Sequence, residues 1–319
     1  MAGPTLLTYG QANIDETLTL SMTNMIPGIR DNVFNSNNTL KWFTNNGKVK
    51  KKGGTSLSHG LMYGTNTTAA AYQRYDVLDV TPQDGLTRDQ WTWAQYAVSQ
   101  TIDGFTERIA NAGDSALADA LDEKKMQAEE SLSRLIEGDF FVQSNASKSM
   151  RTLATIVLDS GTEGQVSATT STWWKAVNTT SGSWAAQGRS DLTTLVNTLS
   201  IRNPGGMPEV LLSDQNAYEF YESSLVSQYR YTDNTPDIGA KKLLFKEIPW
   251  IWSNQATSGV IYALHSKAIE FIVNSDTDFI VTPFVKPANQ DARTSQILFA
   301  AALTTGVRRK LGKLNSVTA

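Results

Sequence analysis

Cysteine is absent from the 319-residue chain, which removes disulfides, thiolate metal sites and cysteine nucleophiles together. Histidine is nearly as scarce. The two present, His59 and His265, lie far apart in sequence, and neither has a second ligand at the spacing of a helical zinc site. Charged residues make up 18% of the chain, below the roughly 25% of an average globular domain. The 28 Lys and Arg nearly balance 31 Asp and Glu, for a net charge of -3, so the clustered cations of a dedicated nucleic-acid binder are missing. No apolar run reaches the roughly 18 residues of a membrane span, and no basic segment followed by an apolar one opens the chain, so a cytoplasmic product is expected. The P-loop, the dinucleotide G-x-G-x-x-G and the G-x-S-x-G elbow are all lacking. No catalytic residue, cofactor or metal site is therefore expected.

What the chain has instead is Thr, Ser and Asn, about a quarter of all residues, which suit turns, strands and wide polar contact surfaces. Residues 1–40 mix isolated apolar positions with Asn and Thr around Pro27-Gly28, and read as an arm with too little apolar surface to bury alone. Residues 45–68 carry Gly47, Gly53, Gly54, Gly60 and Gly64 around Lys50, Lys51 and Lys52, the pattern of a basic, Gly-rich hairpin or extended loop. The stretch 90–102 alternates as a strand with both faces at least partly covered, Trp91, Trp93 and Ala97 on one side and Tyr96, Val98 and Ile102 on the other.

A long helix is expected over 114–137, with Asp114 or Ser115 as N-cap, an apolar face of Leu117, Leu121, Ala128, Leu132, Leu135 and Ile136, and Gly138 as the stop. At 1.5 Å per residue it is a rod of roughly 36 Å, about twice the usual helix length. Thereafter 152–158 reads as a strand, 162–188 as a turn-rich polar stretch with Trp173, Trp174 and Trp184, and 190–199 as a helix. A strand over 208–212 leads to a helix capped by Ser213, with Ala217, Phe220, Ser224 and Leu225 on one face. Strands over 259–264, 268–273, 278–282 and 295–303 complete an α+β fold.

One segment imitates an enzyme. Ile156-Val157-Leu158-Asp159-Ser160-Gly161-Thr162 has the form of an aspartic protease strand, but that chemistry needs two carboxylates sharing a proton, and the chain has one copy. A strand ending in a tight turn explains it as well. The C-terminal basic group Arg308, Arg309 and Lys310 is read as pairing with acidic positions of the same or a neighbouring chain. The tryptophans are read as core or interface aromatics, since no basic frame accompanies them for base stacking.

An arm that cannot bury itself, a basic hairpin, one very long helix and a mixed domain with a late returning strand describe a subunit incomplete on its own. This order resembles the major capsid proteins of tailed double-stranded-DNA bacteriophages, the Hong-Kong-ninety-seven-type fold. Pro27-Gly28-Ile29-Arg30-Asp31-Asn32-Val33-Phe34 looks like the arm helix. Lys50-Lys51-Lys52-Gly53-Gly54 through Gly60-Leu61-Met62-Tyr63-Gly64 looks like the E-loop, and Tyr75-Asp76-Val77-Leu78-Asp79-Val80 with Trp93-Ala94-Gln95-Tyr96 is similar to its return strand. Asn111-Ala112-Gly113 leads into the spine helix. Thr282-Pro283-Phe284-Val285-Lys286-Pro287 and Arg308-Arg309-Lys310-Leu311-Gly312 look like the crossover and terminal strand.

The resemblance implies an N-terminal arm over 1–44, an E-loop hairpin over 45–89, a P-domain over 90–163 and 283–319 containing the spine helix, and an A-domain over 164–282. It further implies a virion structural protein without enzymatic activity, forming pentamers and hexamers that close into an icosahedral shell around double-stranded DNA. Assembly in the host bacterial cytoplasm is expected, with room for separate scaffolding, portal and decoration proteins and no membrane partner. Since the arm begins within the first 30 residues, no scaffolding extension is expected ahead of it. Candidate inter-subunit contacts are Lys50, Lys51, Lys52, Gly53, Gly54 and His59 in the E-loop, and Arg308, Arg309 and Lys310 in the P-domain. The alternatives are an encapsulin-type compartment shell and, more distantly, a protease using Asp159.

Overall fold

The computed structural model describes residues 38–45, 49–105, 114–202, 206–225 and 243–319. The expected arm helix at 27–34 and the lead-in at 111–113 lie outside them. In chain order the elements are α1 (Asn38–Asn45), β1 (Val49–Lys52), β2 (Gly60–Met62), β3 (Leu86–Arg88), β4 (Ala94–Asp103), α2 (Asp114–Phe141), α3 (Leu153–Ile156), β5 (Thr162–Glu163), β6 (Val166–Ser167) and β7 (Val177–Thr180). They continue with α4 (Arg189–Arg202), β8 (Val210–Ser213), α5 (Gln215–Ser224), β9 (Leu243–Phe245), β10 (Ile248–Trp252), β11 (Ile261–Leu264), β12 (Ile269–Asn274), β13 (Ile280–Val281), β14 (Ala292–Thr305) and β15 (Gly312–Asn315). The chain folds as two units: Met1–Gly53 with Ala94–Met150 and Phe271–Ala302, and Gly54–Trp93 with Arg151–Glu270 and Leu303–Ala319.

In the first unit a sheet in the order β1-β12-β14-β13 has β4 added antiparallel along β14, from Ala292 opposite Asp103 to Ala301 opposite Ala94. Strand β4 buries Ala94, Tyr96, Gln100 and Ile102 and exposes Gln95, Ala97, Ser99 and Thr101. Helix α2 packs against β4; of the other expected face, Trp91 is buried and Trp93 half-buried just ahead of the strand, while Ala97 is exposed. The core is aromatic: Phe43 of α1 stacks on Phe140 at 5.1 Å between ring centres, and Phe140 meets Phe271 at 5.3 Å. Two buried polar links fix the helices: Thr39 donates to Glu137 at 2.7 Å, and Tyr96 donates to Asp139 at 2.8 Å while accepting from the Met150 amide. Burial raises the Tyr96 phenol far above its ordinary range, so it acts only as a neutral hydrogen-bonding group.

Helix α2 has 28 residues and runs through Gly138, where the sequence suggested a stop. Phe140 and Phe141 are the reason, being 0% and 1% exposed. Burying two aromatic rings outweighs the glycine cost of about 1 kcal/mol. The side chains of Leu117 and Leu121 lie outside the described residues, whereas Ala128, Leu132 and Ile136 are buried as expected.

The second unit is built on a mixed sheet in the order β7-β15-β11-β8-β10-β9, parallel at β7/β15 and β8/β10 and antiparallel elsewhere. Helices α4 and α5 bury Leu192, Leu195, Val196, Leu199, Ala217 and Tyr221 against it, around Trp184 and Trp250. The N-cap of α5 is Asp214 rather than Ser213: its carboxylate accepts from the Ala217 amide at 3.3 Å. Ser213 is the last residue of β8, fully buried, and its hydroxyl accepts from the Trp250 indole at 2.8 Å. The expected strand over 152–158 is instead the short helix α3, because Thr152 and Thr155 form a capping box that outcompetes their β preference.

Candidate assembly surfaces

Lys50, Lys51 and Lys52 do not sit at a loop tip. They form the edge strand β1, parallel to β12, with Lys51 opposite Val273 and its ammonium 2.6 Å from Asp278. Backbone pairing depends little on side-chain identity, and lysine is a common edge residue because its charge discourages further strand addition. Gly53 and Gly54 follow, both exposed, with the Gly54 carbonyl accepting from the Trp93 indole at 2.8 Å.

The part of the hairpin that projects lies further on. Strands β2 and β3 pair over three residues, Gly60 opposite Arg88 to Met62 opposite Leu86. Between them the chain is held by local turns, such as the Asp79 carboxylate accepting from the Thr81 amide at 2.9 Å. With the Thr81 hydroxyl, these bonds hold the Asp79 carboxyl below the usual carboxylate range. Here Tyr75, Val77 and Val80 are 91%, 98% and 88% exposed, and Met62, Tyr72, Leu78 and Leu86 are exposed too. Scattered exposed apolar residues are ordinary, but seven within one projecting segment form a patch of the kind that marks a contact surface. By contrast Leu57 and Leu61, inside the basic, Gly-rich stretch, are each 3% exposed.

The neck of this hairpin holds a charged cluster that the sequence did not disclose. The His59 amide donates to Asp89 Oδ1, its Nδ1 lies 3.0 Å from Asp89 Oδ2, and its Nε2 lies 3.7 Å from Glu270 Oε2. The Trp91 indole donates to Asp89 Oδ2 at 2.7 Å. Asp89 is completely buried. The hydrogen bond to Asp89, then the Glu270 carboxylate facing Nε2, raise the His59 pKa from 6.5 to about 9, against the opposing effect of burial. Sequence offered no signal for this cluster, because Asp89 and Glu270 are single acids in unremarkable contexts, distant from His59 along the chain.

The C-terminal basic group divides. Arg308 is 0% exposed. It donates from Nε to the Ile156 carbonyl at 2.6 Å and from Nη2 to the Thr155 and Ser160 carbonyls at 3.1 and 3.0 Å. Of its fork, Nε and Nη2 are thus engaged inside the subunit. Arg309 is exposed and Lys310 half-buried. Arg309 lines an open cleft of about 600 Å³ with Asp159, Trp173, Lys175, Asn178 and Arg202. Among the described residues no carboxylate lies within ion-pair distance of Lys175, Arg202 or Arg309.

Asp159 is exposed beside that cleft and accepts from Asn178 at 3.3 Å. No second carboxylate lines the cleft among the described residues, so Asp159 has no partner there with which to share the proton of an acid protease. His265 sits 3.7 Å from Glu209 and accepts from the Lys267 amide at 3.1 Å. Among the described residues no helix is long and apolar enough to cross a membrane.

The chain superposes on the capsid asymmetric unit of cyanophage A-1(L) with a TM-score of 0.62 at 11% identity, covering 85% of this chain and 91% of that one. The fold is that of a phage capsid subunit. The capsid of an empty GTA particle gives 0.60 at 11% identity over 86% and 89% of the two chains. A chain from Mycobacterium phage Adephagia gives 0.55 at 12% identity over 85% and 88%. No family model matches the sequence, and no curated protein matches it. The capsid fold is thus retained where sequence identity is near the level of chance, and the α+β class read from the sequence is the one observed.

Proposed function

We propose that the chain is a major capsid protein that self-assembles, through pentamers and hexamers, into an icosahedral head enclosing double-stranded DNA. One observation carries this reading: the capsid-type fold extends a segment whose apolar side chains are left exposed by the described residues of the subunit. Leaving them in water is unfavourable by roughly 25 cal/mol per Å² of apolar surface, so a second copy is the natural cover. In the terms of the resemblance, 63–85 is the working portion of the E-loop, α2 the spine helix of the P-domain, and the strands of the six-stranded sheet other than β15 the body of the A-domain.

The remaining inter-subunit candidates fit this reading unequally. Lys50, Lys52, Gly53 and Gly54 line the edge from which the hairpin departs; Lys51 and His59 face acidic groups of the subunit. Arg309 and Lys310, with Lys175 and Arg202, offer positive charge to acidic groups of a neighbour. The chain is read as acting in the virion and assembling in the bacterial cytoplasm, with no catalytic role. Electron micrographs of the purified chain, with and without co-expressed phage head proteins, test the reading. Closed shells or capsomers are expected, and a monodisperse monomer under every condition overturns it.

A further inference from the structure

The hairpin that carries the exposed apolar segment is poorly fixed by its own pairing. Strands β2 and β3 share three residue pairs, and an isolated two-stranded hairpin of that size is at best marginally stable in water. Its direction must therefore be set at its neck. There the backbone of Leu57 exchanges hydrogen bonds with Trp91 at 3.0 and 2.8 Å, the Asp89 amide donates to the His59 carbonyl, and Gln90 donates to the Gly164 carbonyl. Tyr63 stacks on Trp173 with ring centres 5.6 Å apart. Of these ties, one alone joins both sides of the neck to strand β12 through charge. His59 immediately precedes β2, Asp89 immediately follows β3, and Glu270 belongs to β12.

We propose that His59 is a positioning residue for assembly: clamped between Asp89 and Glu270, it locks the β2/β3 hairpin to β12 and so fixes the direction in which the apolar segment leaves the subunit. The chemistry of the cluster makes the lock depend on protonation. Asp89 is fully buried and takes donors from both the amide and the ring of His59 as well as from Trp91. The charged groups facing the ring are Asp89 from the loop after β3 and Glu270 from β12. On its third side the Gly306 backbone is so close that a Cβ there would stand 3.8 Å from the ring. A neutral imidazole would leave a buried carboxylate without its countercharge, a costly arrangement relieved by opening the neck to water. Because the folded pKa is raised, the stabilisation is complete below the ordinary value of 6.5 and is lost as pH rises through about 9. At neutral pH the lock is closed.

The two histidines can be read separately by mass spectrometry of the slow exchange of the imidazole C2 hydrogen, with His265 as the reference in the same sample. A His59 midpoint near 9 is expected, and one near 6.5 overturns the proposal. Backbone amide exchange across 60–88, corrected for the intrinsic effect of pH, is then compared at about pH 7 and about pH 9.5, which bracket the transition. The wild type should be protected at the lower pH and lose that protection at the higher. His59→Gln should exchange at the unlocked rate at both. Wild-type protection in His59→Gln at neutral pH overturns the lock. If that variant does not fold, Glu270→Gln, which leaves Asp89 in place, should lower the His59 midpoint and bring the loss of protection down with it; an unmoved midpoint overturns the role of β12. The lock bears on assembly only through the capsid reading, but both exchange measurements are made on unassembled protein. Their failure is therefore distinguishable from a failure to build shells.

Discussion

Val77 and Val80 provide the sharpest test of what the projecting segment does. At 98% and 88% exposed they touch almost nothing in the subunit, so the double substitution Val77→Ser, Val80→Ser should change subunit stability by no more than about 0.5 kcal/mol, the usual bound for surface positions. Covered by a neighbouring copy, each valine would contribute roughly 1.5 kcal/mol or more of burial. The pair is then worth about 3 kcal/mol per contact, a factor of about 100 in association at 1.4 kcal/mol per tenfold. The thermal melt followed by circular dichroism should superimpose on that of the wild type. The concentration at which particles appear by light scattering should rise steeply, and closed shells should vanish from micrographs at wild-type working concentrations. A double variant that assembles at the wild-type threshold would show that this surface faces solvent in the particle, and the reasoning from exposed apolar area would fail.

Three further outcomes follow from the packing. Leu121→Pro, at a helical position of α2, removes a backbone donor and clashes with the preceding turn at a cost of about 3 kcal/mol or more; insoluble protein is expected, and soluble, assembling protein would show that α2 tolerates a break. Arg308→Ala strips donors from three backbone carbonyls, each costing about 1–3 kcal/mol if left buried and unpaired. It should lower the melting temperature strongly where Arg309→Ala leaves it unchanged, and equal melts would refute the division of that group. Gly164→Ala should destabilise the fold measurably in urea titration, because Gly164 has φ of 59° and its added Cβ would stand 2.9 Å from Asp89 Cβ and 3.1 Å from the Trp91 ring; an unchanged midpoint would show that the neck yields freely.

Several elements were legible because their causes are local. The strand at 261–264 is a continuous buried apolar run, that at 269–274 is one interrupted only by Glu270 and closed by Asn274, and the helix over 189–202 shows its buried positions at helical spacing. The capsid architecture could be named from the order of its parts even though each motif alone was weak. Boundaries failed where a distant partner outweighed a local preference. Gly138 should end α2, but Phe140 packs between Phe43 and Phe271, Phe141 is buried beside it in sequence, and the two carry the helix past the glycine. Three lysines among glycines look like a solvated tip, yet β12 needed an edge neighbour and took the backbone of Val49–Lys52.

By itself the sequence determined that this is a mixed α+β chain without thiol chemistry or a recognisable catalytic motif, with one dominant helix and an arm with too little apolar surface to bury alone. Hydrophobic periodicity, composition and turn residues carry that information over short distances. Tertiary structure alone decided which cations are engaged inside the subunit and which face outward: Arg308 fully buried under three carbonyls, Arg309 on the cleft, and His59 between Asp89 and Glu270. Charge and hydrogen bonding act between whatever groups the fold brings within a few ångströms, and a linear pattern cannot tell which acid will stand beside which base until the chain has closed around both.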